Sequence, residues 1–118
     1  MLCRNLIEAI GHTPIVHITR FDPQGNLFAK LEMLNPGSSA KDRAAAAMLR
    51  DAVQRGKLLP GGIVVEPTSG NTGVGLAWLC AILGYRLILT MPDTMRDVYK
   101  RQMGSRFKRW RWMVIMRI

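Results

Sequence analysis

Cysteine is scarce in this chain, and the two present, Cys3 and Cys80, have neither a metal-ligand spacing nor a disulfide framework. Unpaired thiols with no staple fit a cytoplasmic protein, and Cys80 stands in an apolar stretch where a core role suffices. Histidine is equally sparse. His12 and His17 are not spaced as ligands with any Cys, Asp or Glu, so both read as structural and no metal is expected. Long hydrophobic runs are missing too. The longest, Val74 to Leu83, is too short to span a bilayer, and the opening Met1-Leu2-Cys3-Arg4 has no stretch suited to a signal peptide. Two glycine signatures are also lacking: no G-x-G-x-x-G stands at a strand-to-helix turn, and no glycine loop ends in G-K-[S/T]. That excludes the usual dinucleotide cradle and the P-loop.

What is present is enough apolar sequence, 48% of 118 residues, for one domain with a real core. The net charge of +9 divides unevenly. Through Met95 nine Lys/Arg face seven Asp/Glu, whereas from Arg96 onward eight Lys/Arg face Asp97 alone. The basic character therefore belongs to the end of the chain. There Arg106 to Ile118 interleaves cations with aromatics and finishes in bare hydrophobics, without continuing the earlier alternation of helices and strands. Such a segment could bind nucleic acid or an anionic membrane. The simpler reading is an anomalous basic tail, 96–118, outside the native domain of 1–95 and making few contacts with it.

Turn residues and hydrophobic periodicity divide the first part of the chain. Ile15–Ile18 and Leu27–Leu31 read as short strands around the turn Asp22-Pro23-Gln24-Gly25-Asn26. Ser39 can cap a helix running to about Arg55, in which Ala45, Met48, Leu49 and Ala52 recur at helical spacing before Gly56. A strand over 63–66, a helix over 72–83 closed by Gly84, and a strand over 86–91 follow. Short connections between them indicate an α/β fold with strands 63–66 and 86–91 parallel and adjacent.

Two stretches carry the chemistry. Asn35-Pro36-Gly37-Ser38-Ser39-Ala40-Lys41 places one lysine among small residues at the mouth of a helix, where a cation opposes the helix dipole. Small neighbours leave room for a flat ring, although a solvated lysine would also satisfy the spacing. Thr68-Ser69-Gly70-Asn71-Thr72-Gly73 follows a strand and opens the next helix. Unpaired amides at a helix start bind anions, and hydroxyls with an Asn amide add donors beyond what a cap requires. An imine-forming lysine facing a loop that holds a small anion is what a pyridoxal-phosphate enzyme acting on an amino acid needs. Lys41 is accordingly expected to face the 68–72 loop across a cavity. Asp42 and Arg43 read as a charged helix face, and Glu66, ending a strand, as a residue that orients the loop.

With these residues in view the chain resembles the N-terminal portion of a cysteine synthase (O-acetylserine sulfhydrylase), in the tryptophan synthase β-like group of fold type II pyridoxal-phosphate enzymes. The matching stretches are Ile10 to Pro14, Ala29 to Glu32, Asn35 to Arg43, Glu66 to Gly75, Gly84 to Arg86 and Leu89 to Met95. The resemblance implies a three-layer αβα domain built on a parallel sheet, of which this chain would hold an incomplete part. It implies that Lys41 holds pyridoxal 5'-phosphate and removes the substrate α-proton. Asn71 would bond the cofactor's ring oxygen, and Thr68, Ser69, Asn71 and Thr72 would clamp the substrate carboxylate. O-acetylserine would lose acetate through an aminoacrylate, and sulfide would add to give cysteine. The resemblance further implies a homodimer at full length, with no nucleic acid or membrane partner. Cystathionine β-synthase shares both motifs, and threonine dehydratase fits the Thr68-Ser69 pair less well. The family's glycine/threonine loop for the cofactor phosphate, and its partner for the ring nitrogen, have no counterpart in this sequence.

Overall fold

A computed structural model describes residues 2–68 and 70–91, together with the backbone of residues 107–110 and 113–117. Strands β1 (Ile15–His17) and β2 (Phe28–Lys30) pair antiparallel as a separate hairpin, with Val16 opposite Ala29. The Asp22 carboxylate accepts from the N–H groups of Gln24 and Asn26 and folds the connection between them. His17 stacks on Phe28 across the hairpin, ring centroids 4.9 Å apart, which is the structural use expected of it.

Helix α1 (Lys41–Gln54) is built on four consecutive alanines, the strongest helix former, and buries Ala45 and Leu49 one turn apart. It starts at Lys41 with Ala40, and not the expected Ser39, at the N-cap position and without a side-chain cap. Ser39 Oγ accepts from the Lys41 N–H at 3.1 Å in the turn before it. Gly56, with φ +67, turns the chain away after it. Strand β3 (Ile63–Pro67), helix α2 (Asn71–Leu83) and strand β4 (Arg86–Met91) follow. β3 and β4 are parallel and adjacent as expected, Val65 facing Ile88. α2 packs on β4 and on α1, and the core between them consists of Leu49, Leu76, Leu79, Cys80, Leu87, Leu89 and Met91. Burial pushes the Cys80 thiol up, consistent with an inert core residue. β3 alternates exposed with half-buried, leaving Val65 58% exposed, so the described residues cover this strand on one face. None of the described helices is long and apolar enough to cross a membrane.

The end of the chain departs from expectation. Strands β5 (Phe107–Trp110) and β6 (Met113–Arg117) join the same sheet in the order β3-β4-β6-β5, with β6 antiparallel to β4. The physical reason is an open edge: β4 would otherwise present unpaired N–H and C=O groups, and the tail's Phe, Trp, Val and Ile are strand formers. The result is a mixed sheet whose one parallel pair, among the described strands, is β3–β4. Residues 92–106 and the boundary at Met95 lie outside the described residues.

Two glycines set how closely α2 approaches its neighbours. A methyl on Gly73 would sit 2.6 Å from Thr68 Cγ2 and 3.2 Å from Leu89 Cδ1, and one on Gly75 would sit 3.1 Å from Ala45 Cβ. Because Thr68 is β-branched it cannot swing aside, and Gly73→Ala is expected to cost about 1–2 kcal/mol in urea unfolding. Gly70→Ala meets nothing within 4 Å and is expected to change stability by less than ~0.5 kcal/mol.

Candidate active site

The helix pair brings the two sequence motifs to one end of the molecule. Asp42 and Ala45 of α1 meet Trp78 and Gly75 of α2, and the Lys41 carbonyl oxygen lies 3.4 Å from where a Gly75 Cβ would stand. Leu49 and Val53, further along α1, share a groove with Leu79 and Leu83 of α2. The helices therefore run in the same sense, and both begin at the same end.

Lys41 is the first residue of α1 and is exposed; among the described residues its amine has no ion-pair partner. Asn71 and Thr72 are the first two residues of α2, Asn71 exposed and Thr72 half-buried. Gly70 precedes them without a side-chain cap, and among the described residues nothing accepts from the Asn71 and Thr72 N–H groups. Such a helix start is suited to an anion. Thr68 follows the last residue of β3: its N–H donates to the Thr90 carbonyl at 3.0 Å, and its Oγ1 accepts from the Gly70 N–H at 3.3 Å. That bond leaves the hydroxyl proton available to donate. Ser69 lies outside the described residues.

The expected cavity between Lys41 and the loop is not among those described. A groove of about 290 Å³ is lined by Leu49, Val53, Leu79, Leu83 and Tyr85, towards the C-terminal ends of the helices. A second hollow of about 250 Å³, bordered by Ile10, Arg43 and Arg50, does not include Lys41 or the loop either. Neither of these two cavities lies between the start of α1 and the start of α2.

The expectation of a charged face on α1 fails at Asp42, which is 0% exposed. Its carboxylate turns inward, accepting from the Gly37 N–H and from Trp78 Nε1–H at 3.4 Å. Arg43 keeps partial exposure but is committed to Glu32, its Nε 2.8 Å from Oε2 and its Nη2 2.9 Å from Oε1. Thr13 Oγ1 donates to the same carboxylate at 2.6 Å, and Asn35 Nδ2 donates to it at 3.0 Å. Asn35 Oδ1 accepts from the Gly11 N–H at 2.8 Å. Local spacing could not reveal this knot, because its members come from three segments, Gly11 to Thr13, Glu32 to Asn35 and Arg43, that meet only in the fold.

The Arg43 guanidinium, followed by the Thr13 hydroxyl, holds the Glu32 carboxyl at about 2 against an ordinary 4.5. A carboxyl with a depressed folded-state pKa contributes stability above its unfolded value and loses it as pH falls through the folded one. Acid titration of the folded chain is therefore expected to reveal a loss of stability between about 4.5 and 2. Unfolding midpoints measured across that interval should flatten in Glu32→Gln.

The family model for "Pyridoxal-phosphate dependent enzyme" matches residues 6–106. The chain belongs to that family. Its relatives include the cysteine synthase of Staphylococcus aureus, 50% identical over 93 residues that make up 77% of this chain and 30% of the relative. Among solved structures it is similar to O-ureido-L-serine synthase, with TM-score 0.76 and 39% identity over 86% of this chain and 34% of the other. A hydrogen sulfide-producing enzyme from Fusobacterium nucleatum has TM-score 0.74 and 44% identity, over 87% of this chain and 36% of the other. The chain thus spans about a third of the length of the proteins it matches. The family is pyridoxal-phosphate dependent. An exposed lysine at the start of α1 and open N–H groups at the start of α2 are of the chemistry that a cofactor aldehyde and an amino-acid carboxylate need.

Proposed function

We propose that this chain carries the amine and the substrate-carboxylate site of a cysteine synthase, which makes cysteine and acetate from O-acetylserine and sulfide. The observation that carries the reading is the convergence of Lys41 and the first turn of α2 at one end of the helix pair. Bound pyridoxal phosphate supplies an electron sink for charge developing at the substrate α-carbon. Lys41 then has two tasks, holding the cofactor through its amine and taking the α-proton from the substrate. The N–H groups of Asn71 and Thr72, with the side chains of Thr68, Ser69, Asn71 and Thr72, would orient the substrate carboxylate, and the Asn71 amide would also bond the cofactor ring oxygen. The N-terminal end of α2 favours the negative charge they hold.

In this reading residues 1–95 form the N-terminal part of the family's domain, and 96–118 is not native family sequence although its β6 pairs with β4. That boundary rests on the change of residue pattern and charge after Met95, although the family match runs on to residue 106. The complete enzyme works as a cytoplasmic homodimer on small molecules, without nucleic acid or membrane. The test is a chimera in which residues 5–95 replace the matching segment of the Staphylococcus aureus cysteine synthase. It should bind the cofactor and form cysteine. A chimera that folds and binds the cofactor, yet makes no cysteine, would defeat the assignment.

A further inference from the structure

Asp42 follows Lys41 directly and is completely buried, yet neither the proton transfer nor the carboxylate site uses it. A carboxylate withdrawn from water must find donors or cations. Among the described residues it meets no cation, only the Gly37 N–H on Oδ2 and the Trp78 indole N–H on Oδ1. An acidic residue in a first helical turn is favoured by the dipole, but that explains an exposed Asp as readily as a buried one.

The surroundings are shaped to this carboxylate. A methyl on Gly37 would stand 2.4 Å from Asp42 Oδ1 and 2.9 Å from Trp78 Nε1, and one on Gly75 would stand 3.3 Å from Oδ1. Glycine at 37 is thus needed for room, since the left-handed backbone belongs to its neighbour Ser38, with φ 59. A serine in that region is strained, and such a turn persists only if its surroundings hold it. One carboxylate joins the strained turn entering α1 to the body of α2.

We propose that Asp42 is a positioning residue for Lys41, fastening the Gly37–Ser38 turn and Trp78 together so that the Lys41 amine keeps its place beside the start of α2. The proposal rests on the reading of Lys41 as the cofactor-holding amine. Without the tie the turn relaxes, the first turn of α1 frays, and the amine loses its fixed approach to the helix start.

The test uses the full 118-residue chain with added pyridoxal phosphate, borohydride trapping, and peptide mass mapping of the labelled lysines. Lys57, exposed beyond the end of α1, is the internal control. In the unmodified chain Lys41 should label in preference to Lys57. Asp42→Ala should lower that ratio roughly fivefold, the low end of what its two lost hydrogen bonds are worth together, with the circular dichroism unchanged. Trp78→Phe removes one donor and keeps most of the ring, and should lower it by about half as much on a logarithmic scale. An unchanged ratio in a folded Asp42→Ala chain would overturn the proposal while leaving the role of Lys41 intact. If Asp42→Ala does not fold, Asp42→Asn and Trp78→Phe decide, and two unchanged ratios overturn it. No preference for Lys41 in the unmodified chain would overturn the cofactor reading, and this proposal with it.

Discussion

Given pyridoxal phosphate, O-acetylserine and sulfide, the isolated 118-residue chain is expected to form cysteine at no more than roughly a hundredth of the chimera's rate. On the proposed reading Lys41 and the α2 donors form one wall of the site, and neither of the two cavities described lies against them. Nothing described in the chain grips the cofactor phosphate, and the ring nitrogen has no identified partner. An amine alone can hold the cofactor, but it does not hold the reacting carbon in line with the proton acceptor, and a misplacement of about 1 Å can cost about a hundredfold in rate. Within the chimera, where the remaining walls return, Lys41→Ala should lower turnover by a further 10²–10⁴-fold, roughly the worth of a placed proton acceptor. Coupled detection of cysteine with and without the substitution measures both effects. Substantial Lys41-dependent turnover by the isolated chain would show that the amine and the helix start suffice.

Leu89→Ala should have the largest effect on stability. Leu89 is 0% exposed in β4, and its Cδ1 lies 3.2 Å from the position of a Gly73 Cβ, so it fills the space under the first turns of α2. Helix and parallel strand pair both hold their places, so the cavity has little means of collapsing, and the loss should be about 2–5 kcal/mol. A domain of this size has about 5–15 kcal/mol in total, so the substitution removes a large share of its stability. Val65→Ala in the neighbouring strand, 58% exposed, should lose less than about 1 kcal/mol. Urea midpoints at constant slope separate the two.

Much of the architecture was legible because it is written at short range. The alanine run and Gly56 bound α1, Gly84 bounds α2, and the apolar strands either side of α2 forced a parallel pair. The positions of Lys41 and Asn71 at two helix starts were likewise readable from small residues followed by periodicity. Asp42 was not, because whether a first-turn acid faces water or the interior depends on Trp78, a residue in another helix. The Glu32 knot escaped for the same reason, its partners Thr13, Asn35 and Arg43 being joined only once the chain has folded. The pairing of β6 on β4 also went unread, since a strand edge recruits whatever extended backbone reaches it.

That knot has a consequence for how the molecule assembles. Apart from Ile7 and Ile10, which touch the core, the first third of the chain meets the helices largely through polar bonds converging on Glu32, and its hairpin exposes Ile15, Val16 and Phe28. The bonds bridging Thr13, Glu32 and Arg43 span 11 to 30 residues, no further than the 36 between Asp42 and Trp78, so loop length does not rank the hairpin and the helix pair. They differ in that the knot is polar and partly exposed, whereas the helices and β4 share a buried apolar core. The apolar core can therefore hold the helices and the parallel strands together, with the hairpin docked on them as a separate cooperative unit. In the native state that unit can open by itself, carrying Gly11 to Pro14 away while the helix starts bearing Lys41 and Asn71 remain formed.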